Sequence, residues 1–442
     1  MEVFLLDNVV TGQAETELAK LLNQLLQHIK KKQLHLSEIV TDFMDEKNST
    51  KTVHEEITSL LRKMIEVVNK TNISESEVPQ LLTQLKDSTK LDISDKEIHT
   101  FWMRLIKNKK KSKLTSAEIS ALWLQYMGDS MAICVYNYFL EIVENEKIKD
   151  ILQFALQLAE DHIAKISEFL RSAHFQIPVG FTENDVYLDA PRLFTDKFLL
   201  FYSYIMTIHG LTAYSLAITN SERKDIQDYF FECIVTSKEL FQRIVDLART
   251  LPNYSSVPTI PSPLGTDYMQ SMGIFSNLLG DKRPLNSSEI SNLFFNSKKT
   301  GLIKSLSLAF SQVAKEEEVR KFMMKNVKLA GKDAESFNTI LQQDHLPIPE
   351  TWDAEITDST ISPFSDKLMM FHVAFLINAA LSYYGAALGS SLRSDIIMNY
   401  NKVYFHTMEA GALCFNILVK HGWLEKQPEA IDRKALAQSS SK

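Results

Sequence analysis

The sequence predicts an all-α chain, on three observations. A long segment returns once with its motifs in the same order. Each copy carries apolar residues at helical spacing, and the prolines fall in the connections.

The repeat is the most informative of the three. Leu114-Thr115-Ser116-Ala117-Glu118-Ile119-Ser120 returns as Leu285-Asn286-Ser287-Ser288-Glu289-Ile290-Ser291. Phe175-Gln176-Ile177-Pro178 returns as Leu346-Pro347-Ile348-Pro349, and Asp196-Lys197 as Asp366-Lys367. Ser221 to Asp225 returns as Ser391 to Asp395, so a single-residue gap aligns the copies.

Each copy reads as four helices. The first opens on a capping box, Thr115 with Glu118 and then Asn286 with Glu289. The second carries the apolar stripe: Ile148, Ile151, Leu152, Ala155, Leu158 and Ala159, repeated from Val319, Phe322 and Met323 onward. The third is free of charge, from Phe198 to Ser221 and from Leu368 to Leu392. Both stretches exceed the ~20 residues that span a bilayer. Their polar groups and matching places in the repeat favour central helices buried on all sides, so no membrane span is expected. A membrane-associated helical protein remains the alternative. The fourth helices run roughly from Lys224 to Thr250 and from Ser394 to His421.

Connections set the topology. Short turns near Asn145 and near 220–224 make antiparallel neighbours. The segment 176–195 is long enough to run the length of a bundle. One long crossover between two helical hairpins is the ferritin-like arrangement, so two tandem ferritin-like four-helix bundles are expected, at 113–265 and 266–442. A linker with Pro252, Pro258, Pro261, Pro263 and Gly265 lies between them, and Tyr268–Leu279 reads as a short helix. Residues 1–112 carry no copy of the repeat. They read as a separate helical segment, with amphipathic helices near Glu15–Lys31, Thr52–Asn69, Val78–Leu85 and Asp95–Ile106.

Composition narrows the function classes. The 442 residues are 45% hydrophobic, which supports real cores, and the net charge of −7 leaves no nucleic-acid footprint. The one basic run, Arg104 to Lys113, reads as a solvated linker. Cys134, Cys233 and Cys414 are far apart and odd in number, which fits a reducing compartment and no disulfide framework. The start of the chain has no basic region of a signal peptide.

Several long segments carry a resemblance. They are Leu114–Trp123, Pro178–Glu183, Gly280–Leu285, Ser311–Lys315, Ser362–His372 and His421–Glu425. The region from about 112 to 437 resembles a family of spore-forming bacilli known as domain of unknown function 3231. The resemblance implies tandem ferritin-like bundles and a loose association with spore coat proteins. It implies no reaction and no catalytic residues. The expected localisation is cytoplasmic, with spore association as the family's implication.

A ferritin-like arrangement raises the question of a metal. Di-iron versions take a Glu from each of two helices and Glu-x-x-His from the other two. No Glu-x-x-His occurs in this chain. A weaker set remains in the first copy: Asp129, His162, His209 and Glu239, each near the middle of a different expected helix. Two imidazoles and two carboxylates suit iron, manganese or zinc. The second copy aligns Thr300, Asp333, Ala379 and Glu409 there, so a set of ordinary core polar groups is the favoured reading and no cofactor is expected. His406, Glu409 and His372 form a second, weaker set beside Lys298, Lys299 and Lys304.

Gly-rich phosphate loops, Gly-x-Ser-x-Gly and His-Glu-x-x-His are absent. The leading expectation is a non-enzymatic structural or interaction protein, bound to protein partners or to itself. A ferritin-like metal-binding protein or oxidoreductase using the first-copy residues is the alternative.

Overall fold

A computed structural model gives the structure of the protein. It describes residues 113–251, 256–266, 268, 282–433 and 436, together with Lys20, Leu21, Gln24, Leu25, Leu60, Lys63 and Met64. The expected helices over Val78–Leu85 and Asp95–Ile106 lie outside the described residues. So do most of those over Glu15–Lys31 and Thr52–Asn69, the basic run up to Lys111, and Tyr268–Leu279 beyond Tyr268. The chain divides into two compact units, Met1–Leu114 with Ser172–His174, and Thr115–Arg171 with Phe175–Lys442. The seven described residues before Lys113 are helical, and Leu21, Leu25, Leu60 and Met64 are buried.

Both copies of the repeat lie in the second unit. The first copy contains α1 (Ser116–Ile142), α2 (Glu146–Ser172), α3 (Asp196–Asn220) and α4 (Lys224–Ala248). The second contains α5 (Ser287–Val313), α6 (Glu317–Gln343), α7 (Asp366–Ser390) and α8 (Ser394–Lys420). Two isolated bridges are the only β pairing among the described residues. The all-α expectation with two repeated four-helix halves holds.

Two acids in each copy tie the helix ends together. Glu118 accepts from Thr115 N (2.7 Å), closing the capping box, and also from Glu222 N and Arg223 N at the α3–α4 turn. Glu289 does the same for Asn286, Leu392 and Arg393. At the opposite end Asp196 accepts from Glu144 N and Asn145 N, fixing the α1–α2 turn to the start of α3. Asp366 repeats this with Lys315 N and Glu316 N. Helix starts and turns leave backbone N–H groups unpaired, and a buried carboxylate can satisfy several at once.

The long connections do more than cross their own bundle: they pair with each other. Val186 bridges Phe364 and Phe194 bridges Ile356, both antiparallel. Around them Tyr187 N donates to Pro363 O (2.8 Å) and Thr357 N to Leu193 O (3.0 Å). Ser365 N donates to Asp185 O and Thr195 N to Glu355 O, each at 3.0 Å. Every contact has its mate at the aligned position of the other copy, which is the signature of a local two-fold axis. Tyr202 and His372, aligned with one another, meet across it at 3.1 Å.

That axis explains the charge-free helices. Over 196–211 and 366–377, the N-terminal parts of α3 and α7, no residue is exposed, because these parts face both their own bundle and the other copy. By length and composition α7 alone among the described helices could cross a membrane, and more than half of that apolar stretch is buried inside the protein.

Three of the resemblance-bearing segments, Pro178–Glu183, Ser362–His372 and His421–Glu425, meet along this seam. Glu425 accepts from Val179 N (2.9 Å) and Gly180 N (2.6 Å). Lys367 donates to Gly180 O (2.8 Å) and sits over the Phe181 ring. Ser365 donates through its hydroxyl to Asp185 (2.7 Å). Gly180 has φ +64°, and a Cβ there would stand 2.4 Å from Ser130 Oγ.

Candidate functional site

The sequence-selected residues divide between three places. Asp129 of α1 and His162 of α2 meet, with Oδ2 3.2 Å from Nδ1. His209 of α3 turns to the second copy and shares a hydrogen bond with Tyr383 Oη (2.9 Å). Glu239 of α4 is exposed and pairs with Arg243 one turn on. Among the described residues no group of three or more His, Cys, Asp or Glu side chains converges as a metal-binding set.

The Asp129–His162 pair has a third member that the sequence reading left out. Cys233 of α4 is buried and is one of the groups that raise the His162 pKa. Gln125 Nε2 stands 3.8 Å from its sulfur. Tyr214 and Tyr229 present their rings edge-on to the imidazole, at 5.8 and 6.2 Å between centroids. Burial works against a charged His162. The Asp129 carboxylate and the Cys233 sulfur outweigh it and push its pKa up to about 10. One signal of Cys233 was readable: it shares a helical face with Tyr229 and the buried Ser237. Its register against α1 and α2 was not.

The second copy has lost this arrangement. Thr300 bonds Tyr384 Oη (2.6 Å), Val403 replaces Cys233, and Asp333 replaces His162. Asp333 instead meets His406 of α8 at 3.3 Å. Burial outweighs that partner and raises the Asp333 carboxyl to about 6. The weaker set dissolves: His372 is on the axis with Tyr202, and Glu409 pairs with Lys325 at the surface.

Two lysines of α5 lie at the seam. Lys298 stands over Tyr204 and Phe201 of the first copy, at 4.5 and 5.9 Å, and burial lowers its pKa to about 8. Lys299 is only 4% exposed and its amine has no hydrogen-bond partner. It is wedged between the Tyr383 and Phe295 rings, 2.9 and 3.5 Å from their centroids. Burial depresses its pKa to about 5. His209 beside it falls to about 3, chiefly through burial, with Lys299 and His372 adding to the shift.

The family model described as "Protein of unknown function (DUF3231)" matches the sequence twice, over residues 104–250 and 274–436. No curated protein matches. Among solved structures the chain is similar to one from Bacillus halodurans C-125 described as a "putative spore coat protein". The identity is 23%, with 35% of this chain and 96% of that one covered, at a TM-score of 0.30.

Proposed function

The chain belongs to the family of proteins of unknown function DUF3231, and from there we propose that it is a non-catalytic structural and interaction protein that self-associates through α8. The setting we propose is the sporulating cell or the spore, which fits the family's occurrence in spore-forming bacilli.

A row of apolar side chains on the outside of α8 carries the reading. Met398, Phe405, Ala412 and Val419 recur at heptad spacing, with Met408 between them, and all five are exposed. Phe405 is 61% and Val419 63% exposed. The aligned face of α4 presents Asp228, Val235, Gln242 and Arg249, with Lys238 at the place of Met408. A heptad row of this kind is the seam of a two-helix coiled coil. The occupant that fits is α8 of a second copy, running antiparallel. Phe405 then packs beside Met408 of its mate, and exposed Lys402 lies opposite Glu409.

The test is the mass of the full chain in solution by light scattering, for the wild type and for Phe405→Glu with Met408→Glu. The proposal expects a dimer that the double variant splits into folded monomers. A wild-type monomer at all accessible concentrations, or a dimer indifferent to the substitutions, overturns it.

A further inference from the structure

We propose that the Lys299 amine is a capture site for small aldehydes, which it binds covalently as an imine. Four observations about its surroundings carry the proposal. The amine is buried and has no hydrogen-bond partner, so its lone pair is not committed to a donor. It lies between two rings, 2.9 Å from the Tyr383 centroid and 3.5 Å from that of Phe295. Both rings are themselves only half-buried, so a single layer of side chains separates the amine from water. The Tyr383 hydroxyl shares a hydrogen bond with His209 Nδ1 (2.9 Å) and donates to exposed Thr212 (3.3 Å), which gives that layer a polar edge at the surface.

The site belongs to one side of the two-fold axis. The aligned positions of Lys299, Phe295, Tyr383 and His209 hold Gly128, Leu124, Ala213 and Ala379. The fold therefore closes its seam with no amine at the mate position. The groups facing Lys299 are Phe295 of its own helix and Tyr383 of α7, with His209 of α3 behind the tyrosine. None is an acid, and burial alone lowers the amine to about 5. A lysine desolvated among apolar side chains is the activated form of this nucleophile.

The step needs no co-reactant. The Nζ lone pair attacks the carbonyl carbon, a C–N bond forms, and the carbonyl oxygen takes one N–H proton. The resulting hydroxyl then leaves with the second N–H proton as water, and the C=N bond closes. Nothing is oxidised or reduced. The tight aromatic cover limits the guest to one or two carbons.

The experiment treats the full chain with formaldehyde and dimethylamine borane, an uncharged hydride donor that fixes each imine as a methylamine. Peptide mass spectrometry then gives the methylation rate of Lys299 relative to exposed Lys224 and Lys328. At pH 6 fewer than about one in 10,000 amines of ordinary pKa (~10.4) is neutral. Lys299 is expected to lead by at least ~100-fold there. The ratio should fall ~100-fold by pH 8, because only the ordinary amines gain neutral fraction. In concentrated urea the lead should vanish. A ratio at or below one at pH 6 overturns the proposal, as does a lead that is constant across the pH range or that survives unfolding.

Discussion

Lys299 is the residue whose environment is furthest from that of its free side chain. Its amine is buried among aromatic rings at the meeting of the two copies, with no carboxylate beside it. Folded, it sheds its proton near pH 5, whereas unfolded it does so near ~10.4. Between those limits the unfolded state binds one more proton, so this group makes stability rise with pH across that window. The maximum slope is ~1.4 kcal/mol per pH unit. Lys299→Met removes the titration and keeps the volume. It is expected to be more stable than wild type at neutral pH, with the gap closing as pH rises toward the unfolded amine's value. Urea unfolding of both proteins across that range checks it; a gap independent of pH would contradict the assignment. His162 has the opposite sign: its raised pKa stabilises the fold below its unfolded value of ~6.5 and loses that contribution as pH rises through about 10. At this scale the sequence revealed residue types but not partners. Asp129 and His162 were legible as mid-helix polar groups. His209 was misleading because α3 has two inner faces at its level, and His209 uses the one toward the second copy. Cys233 was passed over because an isolated helical cysteine is more often plain core.

Among the elements, the helices follow from local signals, and the clamps between them do not. The Thr115–Glu118 capping box is visible in four consecutive residues, and so is its copy at Asn286–Glu289. The second task of each acid, holding a turn on the far side of the bundle, requires knowing which turn arrives there. The crossovers were read as connections only, since their pairing partner is another crossover far along the chain. Gly180 is the test position. A Cβ there meets Ser130, and the backbone is left-handed. Gly180→Ala is expected to cost at least ~2 kcal/mol, from left-handed strain and overpacking together. Gly265→Ala, in open space, should be close to neutral. Thermal melts of both variants decide it. Equal melting temperatures would mean that the crossover start is not held against α1 as described.

For the molecule as a whole, the repeat made the duplication legible and the connection lengths made each bundle legible. What one linear sequence could not show is that the copies close on each other. The bridges Val186–Phe364 and Phe194–Ile356, the paired Asp185–Ser365 and Glu355–Thr195 contacts and the Tyr202–His372 meeting all span the two copies. Three of the six segments that carry the family likeness, Pro178–Glu183, Ser362–His372 and His421–Glu425, meet on this seam. The polar clusters inside the bundles differ instead: one copy holds a thiol, an imidazole and a carboxylate where the other holds Val403, Asp333 and Thr300. The central claim is that the two bundles are one body joined by the seam and not by the linker. The exposed stretch 256–266 admits a protease recognition sequence. After cleavage of the full chain, native mass spectrometry is expected to find both fragments in one particle of unchanged mass. Fragments that separate without denaturant would contradict the claim.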